Sequence, residues 1–252
     1  MSANGDAPPK VPGREERRPL PKRFYAHATV EQGTGRTGLR ILLDGKPART
    51  PKKHDLALPA LALAEAVARE WEAQRQHVDP ATMPLTRLVN TVIDGVQGRR
   101  SEVRSDIVKY AGSDLLCYRA EGPEKLVALQ AATWDPILAW ANSTRGIRLA
   151  PSQGVMPVSQ SREALDHAGR AVAALDAFRL AALHVMVTLT GSAVLGLAVL
   201  NGHLSAEAAW AAAHVDEDWQ IAQWGGDADA ASRRLRRWAD MQTAAELLRL
   251  LG

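Results

Sequence analysis

The apolar residues of this chain change period near residue 80, and that change limits the possible folds more than any other feature. Before it, Leu39, Ile41 and Leu43 alternate with Arg40 and Leu42, the period-two spacing of a strand. Phe24–Glu31 reads as a preceding strand, and Asp44-Gly45 as a tight hairpin turn. Ala48–Thr50 and Leu56–Leu58 read as further short strands. Pro59 then opens a helix over Ala60–Gln76, in which Leu63, Val67 and Trp71 recur every four residues. From Thr82 onward the spacing is three and four. The expected fold class is α+β: a small N-terminal antiparallel sheet with one packed helix, then a larger, mostly helical domain. The boundaries expected are a disordered basic tail over 1–22, an α+β domain over 23–81 and a helical domain over 82–252.

The helical part divides at its punctuation residues. Pro84 starts a helix with the apolar stripe Leu85, Leu88, Val89, Val92, Ile93 and Val96, and Gly98 is its expected stop. Val103, Ile107 and Tyr110 mark a second helix. A third begins near Pro123 and carries Leu126, Gln130, Trp134, Ile137 and Trp140, with Pro136 either kinking it or restarting it at Asp135. Ile147–Val158 reads as an irregular connection, and Ser161 as the cap of the helices that follow. Leu180–Leu200 holds no charged residue and is about long enough to cross a bilayer. His184, Thr188 and the cluster Thr190-Gly191-Ser192 predict two buried helices there instead, without stable membrane insertion.

The net charge of +3 belongs to the tail. Residues 1–23 hold six basic and three acidic residues, which leaves twenty-five of each sign in the body. A balanced body offers no basic surplus to a phosphate backbone, so no nucleic acid is expected as a partner. The tail lacks the apolar stretch of a secretory signal, and Glu15 and Glu16 are out of place in a transit peptide. The expected location is the cytoplasm. Cys117, the single cysteine, lies in an apolar run between Leu116 and Tyr118 and reads as a buried hydrophobe.

Catalytic motifs are missing. Gly33–Gly38 matches G-x-G-x-x-G, but a strand rather than a helix follows, so no phosphate would meet a helix N-terminus. No two histidines stand four apart, and no cysteine partners any of them, so neither a metal nor a cofactor is expected. Asp216, Glu217 and Asp218 are consecutive and point in different directions around a helix, which excludes a converging acid–base pair. No catalytic residue and no small-molecule substrate is expected.

The residues left over are aromatic and acidic. Four of the seven tryptophans (Trp210, Trp219, Trp224, Trp238) fall in the last fifty or so residues. Trp210–Gly225 reads as helical throughout, and Trp210, His214, Glu217, Ile221 and Trp224 follow one stripe. Glu217 is the one carboxylate on that stripe. Either it pairs internally with a cation, one of Arg233, Arg234, Arg236 and Arg237 being near, or it faces another protein. Tryptophans with interspersed charge suit a contact surface and a packed core equally well.

Several segments, in order along nearly the whole chain after the tail, resemble the assembly chaperones of the F1-ATPase alpha subunit, found in mitochondria and alphaproteobacteria. They are Lys22–Val30, Leu42–Lys53, the stretch from Glu70 to Asp94, Asp106–Ala120, Trp134–Trp140 and Asp216–Gly225. The resemblance implies a small α+β domain followed by a helical one. It also implies a protein that is not an enzyme. Its partner would be the unassembled F1 alpha subunit, whose beta-facing interface it would keep from aggregating until the beta subunit replaces it. The family's sensitive acidic position maps onto Glu217, with Asp216, Asp218, Trp219 and Trp224 around it as partner-binding candidates. Trp71 and Asp94 fall in other family motifs and are expected to be structural. Trp219 stands where a smaller aromatic is common, and Gly225–Asp229 leaves the start of the last helix open. The competing expectations are a general holdase, a scaffold, and an enzyme with a His, Asp and Arg cluster between the domains.

Overall fold

The structure, a computed structural model, describes residues 19–33, 38–154 and 158–252. Residues 1–18 of the expected disordered tail lie outside these. The described end of the tail is held in place: the Val78 amide donates to the Pro21 carbonyl at 2.9 Å, and Lys22 forms an antiparallel bridge with His77.

Strands β1 (Ala28–Gln32) and β2 (Leu39–Leu43) pair antiparallel, with Val30 opposite Ile41. A strand therefore follows the glycine-rich turn, as its spacing implied; residues 34–37 of that turn lie outside the described residues. The Asp44-Gly45 turn has positive φ at both residues, 47° and 77°, which matches the twist of a two-residue hairpin. Pairing resumes at once in β3 (Lys46–Pro47), two residues before the expected strand. Ala48–Thr50 makes only isolated contacts, including the Arg49–Asp55 bridge, and β4 (Ala57–Leu58) closes the sheet against β2. β1 begins four residues later than expected because a side chain holds the preceding backbone. Asp44 accepts from the amides of Ala26 and His27 at 2.8–3.0 Å.

Helix α1 (Leu61–Glu72) covers this sheet with Leu63, Ala64 and Val67, all fully buried. It stops short of Gln76 because the buried Gln74 side chain takes over the turn. Its amide donates to the Glu70 carbonyl, and its oxygen accepts from the Asp79 amide. Helix α2 (Pro84–Thr91) widens into a π-helical turn over Val92–Val96 and a 3₁₀ turn over Gln97–Arg99 before α3 (Arg100–Gly112). Gly98 thus marks a change of pitch rather than an end. After β5 (Tyr118–Arg119), α4 (Glu124–Arg145) runs through Pro136 without restarting. The connection after α4 contains β6 (Ser152–Gln153), parallel to β5.

The core is built on α6 (Ala177–Thr190), packed against α3 and α7 (Ala193–Leu200), while α5 (Arg162–Ala173) packs on α3. Leu180, Leu183, Met186 and Val187 are fully buried; each such side chain contributes roughly 1.5–3 kcal/mol relative to exposure. The break at Thr190–Ser192 is present. Gly191 takes φ 69°, and the Ser192 hydroxyl accepts from the Leu195 amide to cap α7. Among the described residues, no helix is long and apolar enough to cross a membrane. Helices α8 (Ala206–Ala213) and α9 (Val215–Trp224) lead to α10 (Ala228–Leu251), whose C-terminal half packs on α6 through Met241, Ala244 and Leu247.

Candidate functional site

The segment Trp210–Gly225 is two helices, not one. His214, with φ −115°, ends α8 and begins α9, so the expected continuous helix is broken there. The break is supported from behind by α4. Trp134 donates its indole N–H to the Ala212 carbonyl at 2.7 Å, and the Gln130 amide donates to Asp216 at the same distance. Gly225, with φ 84°, turns the chain out of α9, and Asp227 caps α10 by accepting from the Ala230 amide at 2.7 Å. The last helix thus starts at Ala228, which the glycine-rich run had left open.

Helices α9 and the start of α10 diverge and leave a groove of about 660 Å³ between them. Trp210, Glu217, Ile221 and Trp224 line one wall; Ala231, Leu235 and Trp238 line the other. Trp210 and Trp238 meet at the floor, their ring centroids 5.4 Å apart. Toward the rim the apolar groups become exposed: Ile221 at 40%, Leu235 at 69% and Trp224 at 86%. Exposed apolar groups gathered in one groove are the kind of surface that contact sites use.

The three consecutive carboxylates have separate fates. Asp216 faces α4 and is taken up by Gln130. Asp218 pairs with Arg234 on α10, and this hydrogen bond raises the arginine above its ordinary value. Glu217 faces the groove. Its side chain is 42% exposed, and its nearest charged-group contact among the described residues is His214 Nε2 at 3.8 Å. That contact is not an ion pair. The other ring nitrogen, Nδ1, lies 2.7 Å from the Trp210 carbonyl, which can only accept, so Nδ1 carries the proton. Burial holds His214 below its usual value, and the ring is neutral at pH 7. Two acceptors therefore face each other across the Glu217–His214 gap. Arg234, the arginine that lines the groove, is hydrogen-bonded to Asp218 and acts on Glu217 only as a more distant charge.

The sequence-derived candidates thus separate. Glu217 and Trp224 line the groove together. Asp218 lies beside it through Arg234, Asp216 lies behind it, and Trp219 is half-buried against the core. Leu235 escaped sequence reading, although a lone leucine within Arg233–Arg237 was a usable signal.

Trp71 packs edge-to-face on Tyr25 with centroids 5.7 Å apart. The π-helical turn aims Asp94 at the loop after β3. The carboxylate accepts from the Thr50 hydroxyl at 2.6 Å and the Lys52 amide at 3.0 Å, and contacts His54 Nδ1 at 2.8 Å. Burial raises its pKa, but these hydrogen bonds outweigh it and leave Asp94 below the usual carboxylate range. This is the His and Asp cluster, with Arg99 nearby, that an enzyme would need. Both Asp94 oxygens are engaged in a clasp that ties the π-helical turn to the loop after β3. Among the described residues no group of three or more His, Cys, Asp or Glu could hold a metal ion. Burial pushes the Cys117 thiol up to about 12, far from a reactive thiolate.

Comparison with known proteins agrees with the motif order. The profile of the ATP12 chaperone protein family matches residues 22–142. The crystal structure of the ATP12 protein of Paracoccus denitrificans superposes with a TM-score of 0.88 at 39% identity, covering 92% of this chain and 99% of that one. The chain belongs to the ATP12 chaperone family. A point variant of the Paracoccus protein matches equally well, at 40% identity and a TM-score of 0.88 over 92% and 98% of the two chains. A candidate chaperone from Agrobacterium tumefaciens matches at 47% identity and a TM-score of 0.89, over 94% of this chain and 88% of that one. The ATP12 family serves ATP synthase assembly, and the sheet, clasp and groove are thus parts of an assembly chaperone.

Proposed function

We propose that this chain binds the unassembled F1-ATPase alpha subunit and shields its beta-facing interface until the beta subunit replaces it. The observation that carries the reading is the groove between α9 and α10. It is an exposed, aromatic-lined surface on an otherwise well-packed protein, and the Glu217 carboxylate inside it makes no hydrogen bond among the described residues. An unpaired alpha subunit would expose a large, partly apolar interface, which is an aggregation hazard. A shallow groove covers part of such a surface, and a larger native interface can displace it by competition. The place of action is the bacterial cytoplasm, where the client would be made. No catalytic step belongs to this reading.

The test is co-expression with the F1 alpha subunit, measuring how much of that subunit stays soluble with and without the chain. A large gain in soluble alpha subunit supports the reading. No gain, or an equal gain for unrelated aggregating proteins, overturns it in favour of a general holdase.

A further inference from the structure

We propose that the groove between α9 and α10 takes a segment of the partner that presents one arginine among apolar side chains, with the guanidinium meeting Glu217. This rests on the chaperone reading and adds the chemistry of what the groove receives. Its argument is charge complementarity within an apolar slot. Asp218 is neutralised by Arg234 across the groove, and Asp216 is turned away toward Gln130. Asp227 is used as the cap of α10. Of the four clustered arginines, Arg234 alone lines the groove, and it is committed to Asp218. Glu217 is therefore the groove carboxylate with no Lys or Arg of its own within 4 Å among the described residues; Arg234 reaches it only as a more distant charge, and the other donors of the lining, the Gln220 amide and the tryptophan indoles, are neutral.

The neighbouring His214 sharpens the requirement. Its ring is neutral, with an unprotonated Nε2 turned toward Glu217 at 3.8 Å. His214 is buried behind this wall and donates nothing to Glu217, so a partner group that meets the carboxylate must donate. Arginine fits better than lysine. Trp210, Trp224 and Trp238 present aromatic faces within the same slot, and a planar, weakly hydrated guanidinium stacks on such faces while donating to a carboxylate. An acidic segment would meet Glu217 with like charge. A purely apolar one would bury a carboxylate with no partner, which is costly.

The experiment titrates the full chain with three synthetic peptides of one amphipathic helical sequence. They differ only at a central position, which holds Arg, Lys or Gln, and binding is followed by fluorescence anisotropy of a peptide label. The Arg peptide should bind about tenfold more tightly than the Gln peptide, about 1.4 kcal/mol, with Lys between them. In E217Q the preference should disappear while the Gln peptide binds as before. In W224A all three should weaken. Equal binding of the Arg and Gln peptides overturns the inference, as does a preference that survives in E217Q or a failure of every peptide to bind. Retention of soluble alpha subunit is measured in parallel. If retention holds while the arginine preference is missing, only the present inference falls; if retention itself fails, the chaperone reading falls with it.

Discussion

The N-terminal sheet and the α9–α10 hairpin both carry prominent carboxylates, and they use them in opposite ways. Around the sheet, Asp44, Glu70, Glu72 and Asp94 each accept from at least one backbone amide of a different segment. Glu70, on α1, accepts from the amides of Leu85 and Thr86 and from the Thr86 hydroxyl, at 2.7–2.8 Å, and so caps α2 from outside. At the hairpin, the Glu217 carboxylate faces the groove and accepts no hydrogen bond among the described residues. A carboxylate saturated by amides holds the fold together, whereas one left unanswered among aromatic rings is available to a partner.

This contrast can be broken most easily at the deepest carboxylate. Asp114 is fully buried and accepts from the amides of Leu116 and Val194, which ties the turn before β5 to the start of α7. Burial pushes it up to about 6, and hydrogen bonds from Ser192 and these amides restrain the rise. Its folded value lies above its unfolded one, so the stability linked to its protonated form is complete below about pH 4 and is lost as pH rises through 6. The whole effect is about 3 kcal/mol. Urea unfolding of wild type and Asp114→Asn across pH 4–7 should show the gap between them shifting by that order, in favour of the variant as pH rises. A gap independent of pH would remove Asp114 from the structural class.

Glu70→Ala should lose roughly 2–3 kcal/mol of stability in urea unfolding at pH 7, because two amides and a hydroxyl at the start of α2 lose a charged acceptor. A loss no larger than that of Glu217→Ala would erase the distinction between the two regions. Glu217→Gln should weaken alpha-subunit capture about tenfold, near 1.4 kcal/mol, with its melting temperature unchanged. If E217Q unfolds instead, Glu217 is a structural group after all. The smallest expected effect is on stability in Trp224→Ala, less than about 0.5 kcal/mol, since that ring is 86% exposed. Capture should nevertheless fall, which a pull-down of alpha subunit at fixed concentration would read.

The sheet-then-helices layout was legible because strand and helix periods differ and both are written in apolar residues. The break at Thr190–Ser192 was legible because Gly191 takes the left-handed conformation that such a cluster signals. The interruption at His214 carried no Gly or Pro to announce it. It depends on Trp134 and Gln130, which lie far away in sequence on α4. The stripe from Trp210 to Trp224 still indicated which side chains share a wall, with His214 the exception, buried behind it. Which of three adjacent acids would take Arg234 was not legible, because that choice depends on how the turn at Gly225 sets α10 against α9. Spacing alone also could not show the Asp94 clasp, because its partners Thr50, Lys52 and His54 lie far from it in sequence.

The fastening of α9 to α4 has a consequence for how a client would leave. Because Trp134 holds the Ala212 carbonyl and Gln130 holds the Asp216 side chain on either side of His214, the wall that would meet a client is ordered in advance, and docking would forfeit little chain freedom there. A clamp of that sort has no folded-to-unfolded transition to drive letting go. Departure would then be set by how strongly a rival surface competes for the same residues, so the timing of hand-over would lie with the assembling enzyme rather than with its escort.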